Sequence, residues 1–399
     1  MFSEKNIVLI VSGGIAAYKS ATFARLLIKE KAHVKVVMTK SATEFITPKT
    51  MAVLTNEPVL TDLFSESTAA TIDHISVADW ADYIFVVPAT ANIIAKIANG
   101  IADDAASTVL AARHTPLIIA PAMNENMYLQ KAVQKNLQTI MADGDIVIQP
   151  AEGFLAEGYA GKGRLPEPTD ILAYSELKLY QKQGVLKNKH VVISAGGTIE
   201  PIDPVRYISN RSSGKMGYAL AKAAAEQGAQ VTLVSASTTL PDPIGIKTIH
   251  IQSAQDLSKQ MIATLPTADV IIMAAAVSDY RVGEPAVNKL KKQASGELTL
   301  TLVENPDILA QLGAMKKEQY LVGFAAETQN LLAYAQTKLV KKNADMLIAN
   351  DVSKHQVGFG YDTNQVTILT KDQEPEVLPL QDKLSIARKI MQKISEVIN

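Results

Sequence analysis

The chain has 399 residues, too many for one ordinary core, so two domains are the natural expectation. It is 47% hydrophobic and 20% charged with a formal net charge of -1, which argues against a broad electrostatic footprint for nucleic acid or anionic lipid. No apolar run approaches the ~20 residues of a membrane span, Met1 to Lys5 lack the layout of a secretory signal, and the complete lack of cysteine excludes disulfides and thiolate metal sites, so a cytoplasmic location is expected.

In the first half, short apolar runs alternate with helical stretches. The spacing predicts strands at Asn6 to Val11, Val34 to Met38, Tyr83 to Val87, Leu117 to Ala120 and Ile146 to Ile148. None shows the period-2 alternation of a half-exposed sheet, so they read as strands buried on both faces. Helices fit between them, for example Ile15 to Glu30 with Phe23, Leu26 and Leu27 on one stripe. That alternation is the βαβ pattern of a parallel, doubly wound α/β sheet.

A polar helix, Ser175 to Gln183, ends at Gly184 and is followed by Lys187-Asn188-Lys189, which places a domain boundary between residues 186 and 187. A second βαβ series follows, with strands at His190 to Ser194, Gln230 to Ser235, Val270 to Met273, Tyr320 to Phe324, Met346 to Ile348 and Val366 to Leu369. An amphipathic helix from about Asp382 to Val397 closes the chain. Both halves begin with strand, Gly-Gly, helix, but no closer repeat is visible, so the organisation reads as a fusion.

Four polar loops of the first half leave the carboxyl edge of its sheet, where open α/β sheets bind ligands. Ser12-Gly13-Gly14 lets a backbone approach an anion at a helix start, or is simply a tight packing turn. Thr39 to Thr43 offers hydroxyls to a phosphate, or is a helix cap at Ser41 with Glu44 completing a capping box. Pro88-Ala89-Thr90-Ala91-Asn92 and Pro121-Ala122-Met123-Asn124-Glu125-Asn126-Met127 follow the third and fourth strands, and His74 lies ahead of the third. One such loop is unremarkable; four at one edge indicate a site.

These segments together resemble the flavin-dependent cysteine decarboxylases, Pro-Ala-Met-Asn-x-x-Met being the most specific of them. The resemblance implies a flavodoxin-like FMN domain, built as trimers, with Gly14, Ser41, Thr90, Ser107 and Met123 in the cofactor site. It further implies His74 as the base for oxidation of a cysteinyl thiol and Asn124 as the holder of the substrate carboxylate. Oxidation to a thioaldehyde places an electron sink β to the carboxylate, so carbon dioxide can leave and an enethiol remains. There is one departure. Where the family's flap carries a proton-donating cysteine, this chain reads Leu155-Ala156-Glu157-Gly158-Tyr159, with Gly161-Lys162-Gly163-Arg164 and Glu167-Pro168 intact. A carboxylic acid donates a proton near neutrality if burial raises its pKa, so Glu157 is the expected donor, with Tyr159 or water as alternatives.

In the second half the pair Gly214-Lys215 invites a P-loop reading that fails on spacing, since Ser209 stands where glycine is needed and Met216 where a Mg²⁺-binding hydroxyl is needed. Lys289, Lys291 and Lys292, then Lys338, Lys341 and Lys342, read as solvated faces or as a triphosphate's counter-charges; Lys338 and Lys342 lie one helical turn apart. Gly196-Gly197-Thr198-x-Glu200, Asp203-Pro204-Val205-Arg206, Asn210 to Gly217, Ala274 to Tyr280, Asn305-Pro306-Asp307-Ile308, Gly323 to Thr328 and Ala349-Asn350-Asp351 resemble phosphopantothenate–cysteine ligase.

The order matches the bacterial fusion of phosphopantothenoylcysteine decarboxylase and phosphopantothenate–cysteine ligase of coenzyme A biosynthesis, and the likeness covers essentially the whole chain. It implies a Rossmann-like ligase domain using CTP and Mg²⁺, with metal ligands unassigned. Met273, Ala274, Ala275, Asp279, Lys289, Pro306, Asp307, Ile308, Leu309, Phe324, Lys338 and Lys342 are the implied CTP contacts, and Asn210 the implied contact to the activated acyl group. The substrates implied are 4′-phosphopantothenate, cysteine and CTP, and the assembly a homo-oligomer of flavin-domain trimers and ligase-domain dimers, up to a dodecamer. Alternatives are an active ligase with an FMN-binding but decarboxylation-impaired first domain, a regulatory flavin-domain subunit, and an electron carrier, which would need no flap.

Overall fold

A computed structural model describes residues 1–63, 73–154, 158–291, 298–327, 331–351, 358, 360–371 and 373–398. The chain falls into two compact units, Met1–Lys178 and Leu179–Asn399.

In the first unit β1 (Asn6–Val11) passes through a 3-10 turn (Ile15–Tyr18) into α1 (Lys19–Lys29), and β2 (His33–Met38) precedes α2 (Pro48–Thr55) and the two-residue β3 (Val59–Leu60). Next come α3 (Asp73–Trp80), β4 (Tyr83–Ala89), α4 (Ala91–Asn99), α5 (Ala105–Ala112), β5 (Leu117–Pro121), α6 (Glu125–Leu129), α7 (Lys131–Ala142) and β6 (Ile146–Val147). A hairpin of β7 (Ala151–Phe154) and β8 (Ala160–Arg164) leads to α8 (Pro168–Gln183). The strands form one sheet in the order β3-β2-β1-β4-β5-β6, with every pairing parallel. A flavodoxin sheet is ordered 2-1-3-4-5; this six-strand order obeys the same rule, with its switch point between β1 and β4. Val8, Ile10, Ile84, Val86, Leu117 and Ile119 pack a fully buried layer against α4, α5 and α7, which is why these strands carry unbroken apolar runs.

The second unit runs β9 (His190–Ala195), β10 (Ile199–Pro201), β11 (Tyr207–Ser209), α9 (Lys215–Glu226), β12 (Gln230–Ser235), β13 (Lys247–His250), α10 (Ala254–Thr264), β14 (Val270–Met273), β15 (Tyr280–Val282) and β16 (Leu302–Glu304). It continues with α11 (Ile308–Met315), β17 (Tyr320–Glu327), α12 (Leu331–Lys341), β18 (Met346–Asp351), β19 (Thr363–Thr370), β20 (Glu376–Asp382) and α13 (Lys383–Ile398). The main sheet is ordered β13-β12-β9-β14-β17-β18-β19-β20. Its first six strands repeat the order of the first unit and are parallel, with the switch point between β9 and β14. The last two strands differ from the expected βαβ continuation: β19 pairs antiparallel with β18, and β20 antiparallel with β19.

The two faces of this sheet carry different helices. Val192, Ile271, Leu321 and Leu347 join one core with Leu257, Leu312 and Leu339 of α10, α11 and α12. Residues alternating with them point to the opposite face, where α9 packs on β9 and β12 and against α13. The approach of α9 is close enough to require Gly217, since a Cβ there would lie 2.5 Å from the Ala195 Cβ.

Candidate active sites

At the switch point of the first unit, hydrogen bonds draw the loops together. The buried Ser12 hydroxyl donates to the Pro88 carbonyl at 2.8 Å and accepts from the Thr90 N–H at 3.0 Å. Ala122 N–H donates to the Ala89 carbonyl, tying the loop after β5 to the loop after β4. The loop after β2 comes so near that a Cβ on Gly13 would sit 2.3 Å from the Ser41 Cβ, whereas Gly14 has only the Thr90 methyl at 3.6 Å. Tight packing therefore explains Gly13 and leaves Gly14 open for a ligand. The short helix here is capped by Thr39, whose hydroxyl accepts from the Ala42 N–H, and not by Ser41. Ser41 is thereby freed from the capping role that its spacing to Glu44 suggested.

Met123 and Asn124 are held by the β7–β8 hairpin. Met123 N–H donates to the Gly163 carbonyl at 3.0 Å, and Lys162 N–H donates to Glu125 at 2.9 Å. Asn124 Nδ2 donates to the Tyr159 phenol oxygen at 2.8 Å while its Oδ1 accepts from the Asn126 N–H. The hairpin's far end is anchored by Glu167, which accepts from both Lys19 and Arg164 at 2.8 Å. Lys19, then Arg164, holds the Glu167 carboxyl below the usual range against the opposing effect of burial. Ser107, implied in the cofactor site, bonds to Asp104 through both its N–H and its hydroxyl in the capping box of α5. His74 lies half-buried in the first turn of α3. Leu155 and Glu157 lie outside the described residues.

The second unit holds a cleft of about 710 Å³ at the carboxyl edge of its sheet. Of the residues expected to contact CTP, it brings together Met273, Ala274, Ala275, Asp279, Pro306, Asp307, Ile308, Leu309, Phe324, Lys338 and Lys342, and Asn210 joins them. Asn210 Nδ2 donates to the Val277 carbonyl at 3.0 Å, and Asn305 bridges the loop by donating to the Ser278 carbonyl at 2.9 Å. Asp307 caps α11 through the Ala310 N–H and pairs with Lys342. Burial pushes its carboxyl up, but Lys342, the Ala310 N–H and Lys338 outweigh that and hold it below its ordinary value.

Lys289 is exposed and does not line the cleft. Its loop is tied elsewhere: Arg206 donates to the Leu290 carbonyl, and Leu290 N–H donates to Asp203. Asp203 is itself held far below the carboxylate range by Arg206, against burial and with help from backbone N–H groups. Lys292 lies outside the described residues.

Two further cations line the cleft: Lys215, met above in the P-loop reading that failed on spacing, and Lys383, which the sequence reading did not single out. Lys215 donates to Asp362 at 2.6 Å and to the Gly360 carbonyl. Lys383 is only 7% exposed and donates to the Gly358 carbonyl at 3.0 Å. Burial, followed by repulsion from Lys215, pulls its pKa down to about 8 against the attraction of Asp362. The signal was a lysine at the start of a helix whose first turn faces inward, which an amphipathic pattern alone assigns to solvent.

The buried ammonium has a stability consequence. Below pH 8 both folded and unfolded chains carry the proton, and the burial cost is present in full. Between about 8 and the ordinary 10.5 the folded protein sheds the proton while the unfolded chain keeps it, so stability rises with pH. Thermal melts of Lys383→Met are expected to show a gain of up to about 3 kcal/mol at pH 7 that shrinks toward pH 10. A variant less stable at pH 7 would contradict this.

Comparison with known proteins covers both units. A flavoprotein family model matches residues 1–215, and the DNA/pantothenate metabolism flavoprotein C-terminal domain matches residues 186–398. The coenzyme A biosynthesis bifunctional protein CoaBC of Bacillus subtilis is 47% identical over 397 residues, covering 99% of this chain and 98% of that protein. The chain belongs to this family. The bifunctional proteins of Vibrio cholerae (44% identical, 98% of each chain) and Escherichia coli K12 (42% identical, 98% of this chain and 96% of that protein) match in the same way. Both halves of the family's organisation are thus present, in the same order, with no helix among the described residues long and apolar enough to cross a membrane.

Proposed function

We propose that the second unit joins 4′-phosphopantothenate to cysteine at the expense of CTP, and that the first unit decarboxylates the product to 4′-phosphopantetheine with FMN. The observation that carries the reading is the cleft that brings Asn210, Asp279, Asp307, Lys338 and Lys342 to one sheet edge. The functional boundary is placed between residues 186 and 187, just past the end of α8.

In the ligase unit the substrate carboxylate attacks the α-phosphorus of CTP, giving an acyl-cytidylate and pyrophosphate; the cysteine amine then attacks the acyl carbon and expels CMP. Lys338 and Lys342 offset the triphosphate charge, and the loop from Met273 to Asp279 supplies backbone groups around the nucleotide. Asn210, fixed by its bond to Val277, is placed to donate from the cleft wall to the activated acyl group. Among the described residues no cluster of three or more acidic or histidine side chains could cage a metal. Mg²⁺, with its protein ligands unassigned, would accompany the triphosphate and neutralise developing charge.

In the decarboxylase unit the gathered loops at Gly14, Ser41, Thr90 and Met123 form the cradle. FMN, when bound, supplies the two-electron oxidation of the thiol and the return of those electrons. His74 takes the thiol proton, and Asn124 holds the carboxylate in the position where its amide meets Tyr159. Glu157 donates the final proton. Exposed Ile15, Tyr18 and Phe45 beside these loops are apolar surface suited to a partner copy, in keeping with flavin-unit trimers and ligase-unit dimers, up to a dodecamer.

Incubation of the purified chain with 4′-phosphopantothenate, cysteine, CTP and Mg²⁺ should give 4′-phosphopantetheine by mass spectrometry. Accumulation of 4′-phosphopantothenoylcysteine without carbon dioxide loss would favour the impaired-decarboxylase alternative, and failure to release CMP would discard the ligase reading. Glu157→Gln is expected to stall at the enethiol; saturated thiol at an undiminished rate would remove Glu157 from the donor role.

A further inference from the structure

Lys342, read above as a counter-charge for the triphosphate, follows the last turn of α12 and still donates its N–H to the Lys338 carbonyl at 3.0 Å. Its ammonium pairs with Asp307, the cap of α11, at the cleft wall. Side chains on a helix lean toward its N-terminus, so the Lys342 stem points back from the end of α12 toward the carboxyl edge of the sheet.

Two residues outside the cleft decide where that stem starts. Gly313 lies buried within the apolar helix α11, where glycine is less stable than alanine and is retained only for a close approach. Asn343, directly after Lys342, stands in the left-handed region at φ 48°. The two meet. A Cβ on Gly313 would lie 1.9 Å from the Lys342 carbonyl oxygen and 3.0 Å from its carbon, so the main chain of Lys342 is seated against α11. The Asn343 side-chain amide donates to the Gly313 carbonyl at 2.9 Å, while its Oδ1 accepts from Lys371 at 3.3 Å. Asp345 adds a third tie, accepting from Lys316 at the end of α11 and from Lys371.

One short helix thus holds Lys342 at both ends. Gly313 takes its main chain, and Asp307, about 9 Å nearer the start of α11, takes its ammonium. We propose that Gly313 and Asn343 are positioning residues for nucleotide binding, acting through Lys342 and touching no substrate themselves. This rests on the reading of Lys342 as a triphosphate contact. A lysine stem is long and rotamer-rich, and fixing it normally opposes binding. Here the stem is already fixed before the ligand arrives, and the triphosphate has only to take the ammonium over from Asp307. The fold alone does not ask for this arrangement, since alanine in α11 and a looser chain after α12 would still bury the same apolar faces.

Calorimetric titration of the full chain with CTP and Mg²⁺, and separately with 4′-phosphopantothenate, tests the proposal. Gly313→Ala has to push the Lys342 carbonyl away by about 1 Å and should weaken CTP by about 10- to 100-fold, with 4′-phosphopantothenate unchanged. Asn343→Gly keeps the left-handed backbone and removes only the amide; it should weaken CTP by about 2- to 10-fold. The deciding measurement repeats both changes in a Lys342→Met chain, where neither should cause further loss because the group they aim is gone. Melting curves show which variants are folded, and if Gly313→Ala is not, the two Asn343→Gly titrations decide by the same criterion. Equal losses with and without Lys342, or no loss in the wild-type background, would overturn the proposal alone. A wild type that binds no CTP, or a Lys342→Met chain that binds it undiminished, would overturn the nucleotide reading and the proposal with it.

Discussion

Replacing Gly163 with alanine is expected to cut decarboxylation by about 100-fold or more while CTP-dependent ligation stays unchanged. Gly163 sits at φ 149°, a conformation that other residues rarely adopt. A Cβ there would lie 2.1 Å from the Met123 carbonyl oxygen and 3.3 Å from its carbon, both backbone atoms that cannot rotate away. Relief requires the hairpin to leave Met123, breaking the Met123–Gly163 hydrogen bond and withdrawing Tyr159 from Asn124. A displacement of about 1 Å at a positioning contact costs about 100-fold in rate. Mass spectrometry of the coupled reaction should find 4′-phosphopantothenoylcysteine accumulating while CMP release continues at the wild-type rate. Normal 4′-phosphopantetheine formation would show that the hairpin anchor is dispensable.

Replacing Lys338 and Lys342 together with methionine is expected to raise the KM for CTP by at least about 100-fold. Each charge-assisted hydrogen bond contributes about 1.5–3 kcal/mol, or about 10- to 100-fold in affinity. Both are assigned to one triphosphate and lie one turn apart at the end of α12, so the double change falls short of the product of the singles. Lys342→Met should be the more harmful single change, because it also leaves the Asp307 carboxylate, now unpaired, facing the triphosphate. Asp307→Asn should therefore restore part of the loss in the Lys342 variant. Initial rates with CTP varied at saturating cysteine decide the matter; a CTP KM that does not move would make the pair an ordinary solvated face.

Much of this architecture was readable from residue pattern because a parallel strand buried on both faces carries an unbroken apolar run. The strands Asn6–Val11, Gln230–Ser235 and Val270–Met273 fall where those runs predict them. Direction is not encoded in such a run, so Val366 to Leu369 read as another parallel strand although β19 runs antiparallel. β20 went unread, since Pro379 within Glu376–Asp382 is an edge-strand feature that resembles a loop. The candidate site loops were legible where a loop leaves the carboxyl end of a parallel strand, as at Asn124 after β5 and Asp279 after β14, because the winding alone sends such loops to one edge. They were not legible where tertiary contacts decide. Lys383, for example, is drawn to the cleft wall by the packing of α13 on α9, which no local pattern announces.

The hairpin of the first unit is fastened at its base by main-chain groups: Met123 to Gly163 and Lys162 to the Glu125 side chain. Such a fastening uses no side chain of residues 155–157. A cysteine-free chain can therefore carry Leu155-Ala156-Glu157-Gly158 without any change to the groups that fasten the hairpin. The same separation makes residues 155–157 a short target for directed diversification, with new proton donors sampled while Tyr159 keeps its contact to Asn124.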